Sequence, residues 1–202
     1  MSIVAPDAAS EFERAAGVVI EGLSKLPCAN IADAMDRLGV AEGIHAMWSG
    51  AKLAGPAYTI WTRSGDNWAV HQAIDAAQPG DVLVVNGGGD TTRALIGELM
   101  ATRAVKRRLG GFVIDGAVRD RELIGELGLP VFARGATPAG PYKNGPGRLL
   151  CPVAIGGVCV LPGDIILGDG DGVVVVPRAM GATVLEAARE IEKTEFAKRA
   201  SY

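Results

Sequence analysis

The sequence predicts a single-domain α/β fold with mixed sheets and flanking helices, and three observations carry that expectation. Between Lys52 and Ala133, short apolar runs alternate with helix-spaced segments, the order of βαβ units in a partly parallel sheet. Between Leu149 and Pro177 the apolar runs are separated only by Gly, Pro and Asp clusters, which suits antiparallel strands. A chain of 202 residues that is 49% apolar is also long enough to bury a real core. Its 28 glycines and 11 prolines exceed the roughly 12% combined share of an average chain. No Gly-X-Y period accompanies them, so they punctuate a turn-rich globular fold.

Taken in order, residues 1–16 read as a polar lead-in. Pro27 to Leu38 places Ile31, Ala34, Met35 and Leu38 at helical spacing and stops at Gly39. Lys52 to Thr62 holds the strand-like run Tyr58-Thr59-Ile60-Trp61. Asp66 to Gln78 is a helix with Asp66 as N-cap and Pro79-Gly80 as terminator. Val82 to Val85 is a short buried strand leading into the Gly87-Gly88-Gly89 loop. Residues 91–96 fit a helix poorly, whereas Gly97 to Leu109 puts Leu99, Met100, Ala104 and Val105 on one face, so a helix starts at Gly97. A strand from Phe112 ends at Asp115-Gly116, a short helix follows over 122–127, and Pro130 to Ala133 opens another strand. Residues 135–147 are turn-rich. Then come the strands Val158 to Leu161, Ile165 to Leu167 and Val173 to Val176. A helix over about 178–198, within the C-terminal segment 178–202, carries Val184, Leu185, Ala188 and Ile191 on one face. One echo stands out. Pro79-Gly80-Asp81 and Pro162-Gly163-Asp164, 83 residues apart, each form a turn feeding a buried strand.

Charge and cysteine usage exclude several classes of function. Lys+Arg 20 against Asp+Glu 23 gives a net charge of −3, without the basic excess of a nucleic-acid binder. The one dense basic cluster, Lys106-Arg107-Arg108, closes a predicted helix, where cations complement the helix C-terminus. No segment approaches the roughly 20 apolar residues of a membrane span. Cys28, Cys151 and Cys159 are odd in number, widely spaced and free of any Cys-x-x-Cys, and so read as buried thiols of a reducing cytoplasm. The acids Asp7, Glu11 and Glu13 argue against a signal peptide.

Most catalytic motifs are missing. The loop Asn86-Gly87-Gly88-Gly89-Asp90-Thr91-Thr92 could cradle an anion, but it lacks the Gly-Lys-Ser/Thr of a P-loop and the last glycine of a dinucleotide fingerprint. Asp169 and Asp171 lie in a Gly-Asp-Gly-Asp-Gly turn with Met180 where a calcium loop needs Glu. The only histidines, His45 and His71, are too few for a His-rich zinc site, there is no G-x-S-x-G, and no lysine has an apolar setting. What remains is Phe112 to Asp120, a strand followed by Arg119-Asp120, since ligands of open α/β sheets bind beyond the carboxyl ends of strands. Asp120 could serve a hard divalent cation, and Arg119 offers a fork for a carboxylate, enolate or phosphate; a local surface ion pair is the structural alternative. A helix starting at Gly97 would also turn the amides of Gly97, Glu98, Leu99 and Met100 toward an anionic ligand. Glu98 in that first turn also suits a purely structural role.

From about Pro27 to the last helix the sequence resembles the RraA-like proteins, which include the 4-hydroxy-4-methyl-2-oxoglutarate / 4-carboxy-4-hydroxy-2-oxoadipate aldolases. The resemblance is carried by GGGDTTRALIGELMATRAVKRRLGGFVIDGAVRDRELI (87–124), PVFARGATPAGPYKNGPG (130–147) and PGDIILGDGDGVVVVP (162–177). It implies a layered β/β/α swivelling-domain fold over the whole chain. In the aldolase branch an acid precedes an Arg-Asp pair by the spacing seen here between Glu98 and Asp120, 22 positions. Relatives that inhibit ribonuclease E lack that aspartate. By this resemblance Asp120 would hold Mg²⁺ or Mn²⁺ with waters, and the amides of 97–100 would take a pyruvyl carboxylate. Arg119 would bind the keto oxygen and stabilise an enolate, and Glu98 would position or activate a water on the metal that protonates it. Asp33 and Glu195 match acids that reach across the subunit boundary of a homotrimer or hexamer. The implied function is a class II pyruvate aldolase acting on a small 2-oxo acid, with oxaloacetate decarboxylation as a side activity. The alternatives are a non-catalytic regulator of ribonuclease E or a lyase for another 2-oxo acid. On this reading Gly87 to Gly89, Gly97 and Gly116 line the pocket.

Overall fold

The computed structural model of the chain describes residues 12–201. The polar lead-in expected over 1–16 therefore lies mostly outside the described residues, and 12–16 run irregularly into the first helix. In chain order the elements are α1 (Gly17–Leu23), α2 (Cys28–Asp33), β1 (His45–Ala46), β2 (Leu53–Thr62) and α3 (Trp68–Ala76). Then come β3 (Val82–Asn86), β4 (Ala94–Ile96), α4 (Glu98–Lys106), β5 (Gly111–Val118), α5 (Arg121–Glu126) and β6 (Val131–Ala136). The last are β7 (Gly147–Leu149), β8 (Val153–Ile155), β9 (Val158–Val160), β10 (Ile165–Asp169), β11 (Gly172–Val176) and, after a 3₁₀ turn at Arg178–Met180, α6 (Gly181–Arg199).

The expected change of strand pairing along the chain is present. β2, β3, β5 and β6 pair in parallel, with β4 added in parallel to the end of β5. β10 pairs antiparallel with both β2 and β11, so the main sheet runs β1-β6-β5-β3-β2-β10-β11. Beyond β11, Val40 bridges Val174, and the same segment leads into β1, which pairs with β6. The mixed sheet therefore comes close to closing on itself. β8 and β9 form a separate hairpin.

Apolar packing follows from this topology. Phe112, Ile114 and Val118 on one face of β5 join α3, α4 and α5 in one core. Val113, on the opposite face, packs with Phe132, Val84 and the β8–β9 hairpin in another. The β10–β11 pair is covered by α1, α2 and α6 through Ile31, Val184 and Ala188. All eight residues of β5 are buried, as a central parallel strand requires.

Several boundaries differ from the sequence-based expectation. The first predicted helix ends at Asp33 rather than Leu38, because Asp36 and Arg37 take positive φ and turn the chain. β5 does not stop at Asp115-Gly116 but runs to Val118, since β4 and β6 both go on pairing with it past a register shift after Ile114. The N-cap of α3 is Asn67, one residue after Asp66. Cys28 is buried as expected, but Cys151 is only half-buried and Cys159 is exposed, on the outward-facing position of a hairpin whose neighbour Val160 points inward. Among the described residues no helix is long and apolar enough to cross a membrane. The two Pro-Gly-Asp turns repeat each other closely. Gly80 and Gly163 take φ of +87° and +88°, a left-handed conformation that glycine adopts at no steric cost.

Candidate active site at the carboxyl end of the central strands

The site grows out of the ends of two neighbouring parallel strands. β4 stops at Ile96, Gly97 is fully extended, and α4 begins at Glu98. β5 stops at Val118 and is held to its neighbour by the Arg119 amide, which donates to the Ile96 carbonyl at 3.0 Å. Asp120 then takes a left-handed conformation (φ 57°, ψ 37°) at the N-cap of α5 without capping it through its side chain. A non-glycine residue in that region is uncommon, and aspartate is among the few that tolerate it. The turn sends the Asp120 carboxylate away from its own helix and toward the start of α4. There its Oδ2 accepts the Glu98 amide at 3.1 Å and lies 3.4 Å from Arg119 Nε.

Gly97 makes this convergence possible. A Cβ at that position would run into Asp120 Oδ2 and stand 2.9 Å from Arg119 Nε. Arg119 and Asp120 both keep solvent access, with side chains 42% and 36% exposed. The Leu99 amide, in the first turn of α4, has no protein acceptor among the described residues, as helix starts leave such donors free. The Met100 amide does not join it. It donates to Gly97 O at 3.1 Å, which corrects the expectation that it faces a ligand. Glu98 accepts the Thr102 hydroxyl at 2.7 Å, one turn further along α4.

Arg119 stands between two clefts. One, of about 440 Å³, continues along Asp120 to Leu123 and Ala136 to Pro138. The other, of about 320 Å³, is lined by Gly97, Leu99, Met100 and Arg119 and reaches Asn67, His71 and Lys143. These last three were missed in the sequence, although Asn67 and His71 are spaced one helical turn apart around the apolar run Trp68-Ala69-Val70. Asn67 is 3% exposed, and its Nδ2 donates to Leu95 O at 3.0 Å, which fixes the amide's orientation. Its Oδ1 is then buried without a donor. His71 is held below the usual histidine pKa by burial and then by the cations Arg103 and Lys143, with Asp75 pulling the other way. Asp66 brings the lysine loop here. Its buried carboxylate accepts the amides of Trp68 (2.9 Å), Asn144 (2.8 Å) and Gly145 (3.0 Å), tying that loop to the start of α3.

Two expected site residues stand apart. Asp33 pairs with Arg37 at 3.2 Å, and Glu195 accepts Asn30 Nδ2 at 3.2 Å, so both belong to the α2–α6 surface and line neither cleft. Gly87 to Gly89 also lie away from the clefts. The amides of Gly87 and Gly89 donate to the Asp115 carbonyl, and Asp115 is itself ion-paired with Arg134. Gly116 packs near Leu95 and the Asp90 carbonyl.

The residues at hand suit one class of metal ion. Among the described residues no three His, Cys, Asp or Glu side chains group as a metal cage. A single accessible carboxylate beside a gap that a Cβ would fill suits a hard, water-rich ion of the Mg²⁺ kind, which takes one or two carboxylates and leaves its remaining positions to water and substrate.

The family model RraA-like (Aldolase/RraA) matches residues 28–175. The chain belongs to this family. A relative from Halalkalibacterium halodurans, named "Putative 4-hydroxy-4-methyl-2-oxoglutarate aldolase", is 39% identical over 86% of this chain and 83% of its own length. One from Ectopseudomonas mendocina with the same name is 36% identical over 70% and 87%. Among solved structures, Streptomyces coelicolor RraAS2, described as an unusual member of the RNase ES inhibitor RraA family, superposes with a TM-score of 0.83. It is 31% identical, over 94% of this chain and all of that one. The mixed, nearly closed sheet with flanking helices is thus an RraA-type fold.

Proposed function

We propose that the chain is a divalent-metal-dependent (class II) pyruvate aldolase that cleaves 4-hydroxy-4-methyl-2-oxoglutarate-type substrates and decarboxylates oxaloacetate as a side activity. The observation that carries this reading is the meeting of an accessible carboxylate, a guanidinium and a helix start around Gly97. Asp120 would hold Mg²⁺ or Mn²⁺, which when bound supplies Lewis-acid polarisation of the 2-oxo acid. Arg119 presents its planar fork to the keto oxygen, where negative charge develops as the bond breaks. The Leu99 amide at the start of α4 takes the adjacent carboxylate. In the reaction the 4-hydroxyl gives up its proton to the water that Glu98 would hold, and the C3–C4 bond breaks. Its electron pair passes into the 2-oxo group, leaving a pyruvate enolate and a second pyruvate. Glu98 would hold the water that returns a proton to C3. Asn67 Oδ1, which lacks a donor, would accept from the substrate hydroxyl, and Lys143 with His71 would face the far carboxylate.

We further propose a homotrimer or hexamer in the cytoplasm. Leu99 at the cleft rim and Leu38 and Phe196 on the α2–α6 side are 74%, 72% and 73% exposed, which suits contact surfaces between copies. Asp33 and Glu195 would then act in a neighbour's site. The second reading is a regulator of the ribonuclease kind, favoured by the likeness to the Streptomyces protein. One experiment separates the two. Pyruvate release from 4-hydroxy-4-methyl-2-oxoglutarate and from oxaloacetate is measured with Mg²⁺ and again with excess chelator. Metal-dependent release supports the aldolase, and no turnover of either substrate discards it in favour of the regulator.

A further inference from the structure

Behind the cleft wall lies a second arrangement. His71 and Asp75 stand one turn apart on α3, and across from them α4 brings Arg103. Arg103 Nη1 lies 2.9 Å from His71 Nδ1, and Nη2 donates to Asp75 Oδ1 at 2.7 Å. A guanidinium has only donors. The ring nitrogen facing it must therefore accept, and an imidazole that accepts at Nδ1 is neutral and carries its proton on Nε2. We propose that Arg103 is a positioning residue for His71: held in place by Asp75, it locks the imidazole as the neutral Nε2–H tautomer, so that His71 meets the substrate as a hydrogen-bond donor and not as an acid or base.

This rests on the aldolase reading and assigns a residue beyond it. The arrangement has a chemical purpose. Lys143 and Arg119 already give the cleft two cations beside His71, and an imidazolium would add a third. An Nε2 lone pair, in contrast, would repel a substrate carboxylate. The groups facing the ring are Arg103 from α4, Lys143 from the loop after β6, Arg119 at the end of β5 and Asp75 on its own helix. Burial and the Arg103 and Lys143 cations oppose protonation, and Asp75 alone favours it. Because Asp75 pairs with Arg103, the clamp adds little net charge to the wall.

The chain has only two histidines, so its ring ¹⁵N spectrum is simple, and His45→Gln assigns His71. In the wild-type protein His71 should show a protonated Nε2, an unprotonated Nδ1 and a titration midpoint below the ordinary 6.5. Arg103→Met should move the midpoint up and mix the tautomers, and should make KM for the hydroxy-dicarboxylate substrate depend on pH near the new midpoint with kcat little changed. Arg103→Lys, which can still donate to Nδ1, should restore the Nε2–H form. Asp75→Asn should move the midpoint further down, because it removes the one group favouring the cation. Ring shifts and midpoint unchanged in Arg103→Met, with only a lower Tm, would reduce Arg103 to a brace between helices and overturn the proposal. The ring readout needs no turnover. The expected spectra in a protein that releases no pyruvate would discard the aldolase reading and leave the clamp standing.

Discussion

Asp81 and Asp164 enter strands at their amino ends, and Asp120 leaves one at its carboxyl end; the three side chains meet different fates. Asp81 Oδ2 accepts the Gln78 amide at 2.8 Å, and Asp164 Oδ2 accepts the Leu161 amide at 2.9 Å, each closing its own Pro-Gly-Asp turn. Their remaining oxygens are also used: Arg14 binds Asp81 through two bonds of 2.8 Å, and the Arg178 amide reaches Asp164 at 2.9 Å. Both carboxylates are buried and consumed by structure. Asp120 instead rides on a left-handed residue that turns it out of its own helix cap, and it spends one oxygen on the Glu98 amide. Availability for chemistry is set here by backbone conformation. Residue type is the same in all three places.

The same substitution at the two ends should therefore give opposite results. Asp120→Asn keeps a residue that tolerates φ of 57° but removes the charge. Pyruvate release should fall by more than about 10³-fold, since both the metal-holding carboxylate and the neighbour of Arg119 are lost. Thermal stability should stay within about 0.5 kcal/mol, as at an ordinary surface position. Asp81→Asn should behave inversely. It takes the charge from a buried carboxylate that accepts two Arg14 bonds and should cost about 2 kcal/mol of stability, with kcat per folded molecule unchanged. Equal loss of activity in both variants would break the distinction.

A smaller test adds a single methyl. Gly97→Ala puts a Cβ against Asp120 Oδ2 and Arg119 Nε, so one or both must move. A shift of the order of 1 Å in a positioning group costs about 10²-fold in rate, and kcat should carry that loss. Gly80→Ala, at the structural end, meets no atom within 4 Å but sits at φ of +87°, so it should lower Tm and leave kcat alone.

The sequence announced some of this site and hid the rest for physical reasons. The helix start at Gly97 was readable because residues 91–96 break the helical period that 98–106 keep. Arg119-Asp120 was readable because a charged pair ends an apolar run. The exact end of β5 was not, because Gly116-Ala117 lacks the bulk that marks a strand, and it is pairing with β4 and β6 that extends it. Asn67, His71 and Lys143 were hidden more deeply. They come from the start of a helix and from a loop more than 70 residues later, joined through the buried Asp66 carboxylate and through backbone bonds of Gly65 and Asn67 to Tyr142. A side chain that organises a site from behind leaves no motif. Asp33 and Glu195 stay outside the clefts within one chain, where no spacing rule could have joined them.

Asp169 provides the finest test of the comparison, because it also sits at a strand's carboxyl end and yet is spent on structure. Its Oδ2 accepts the Cys28 amide at 2.9 Å, at the start of α2, and its Oδ1 accepts the Asp171 amide at 3.0 Å. The acid thus faces the Cys28 thiol. Burial first, and then the Asp169 charge, push that thiol well above its usual pKa of 9.0. A group whose pKa is raised on folding keeps its proton in the native state after the unfolded chain has lost its own. Its contribution to stability is therefore complete below pH 9.0 and is lost as pH rises beyond it. Tm should fall between pH 8.5 and 10.5, and Cys28→Ala should make that fall shallower. Over the same range iodoacetamide should alkylate the exposed Cys159 rapidly and leave Cys28 unmodified until the protein unfolds. Prompt alkylation of Cys28 in the folded protein would mean that Asp169 and the α2 start open readily, and that the acid at the end of β10 is more like Asp120 than like Asp81.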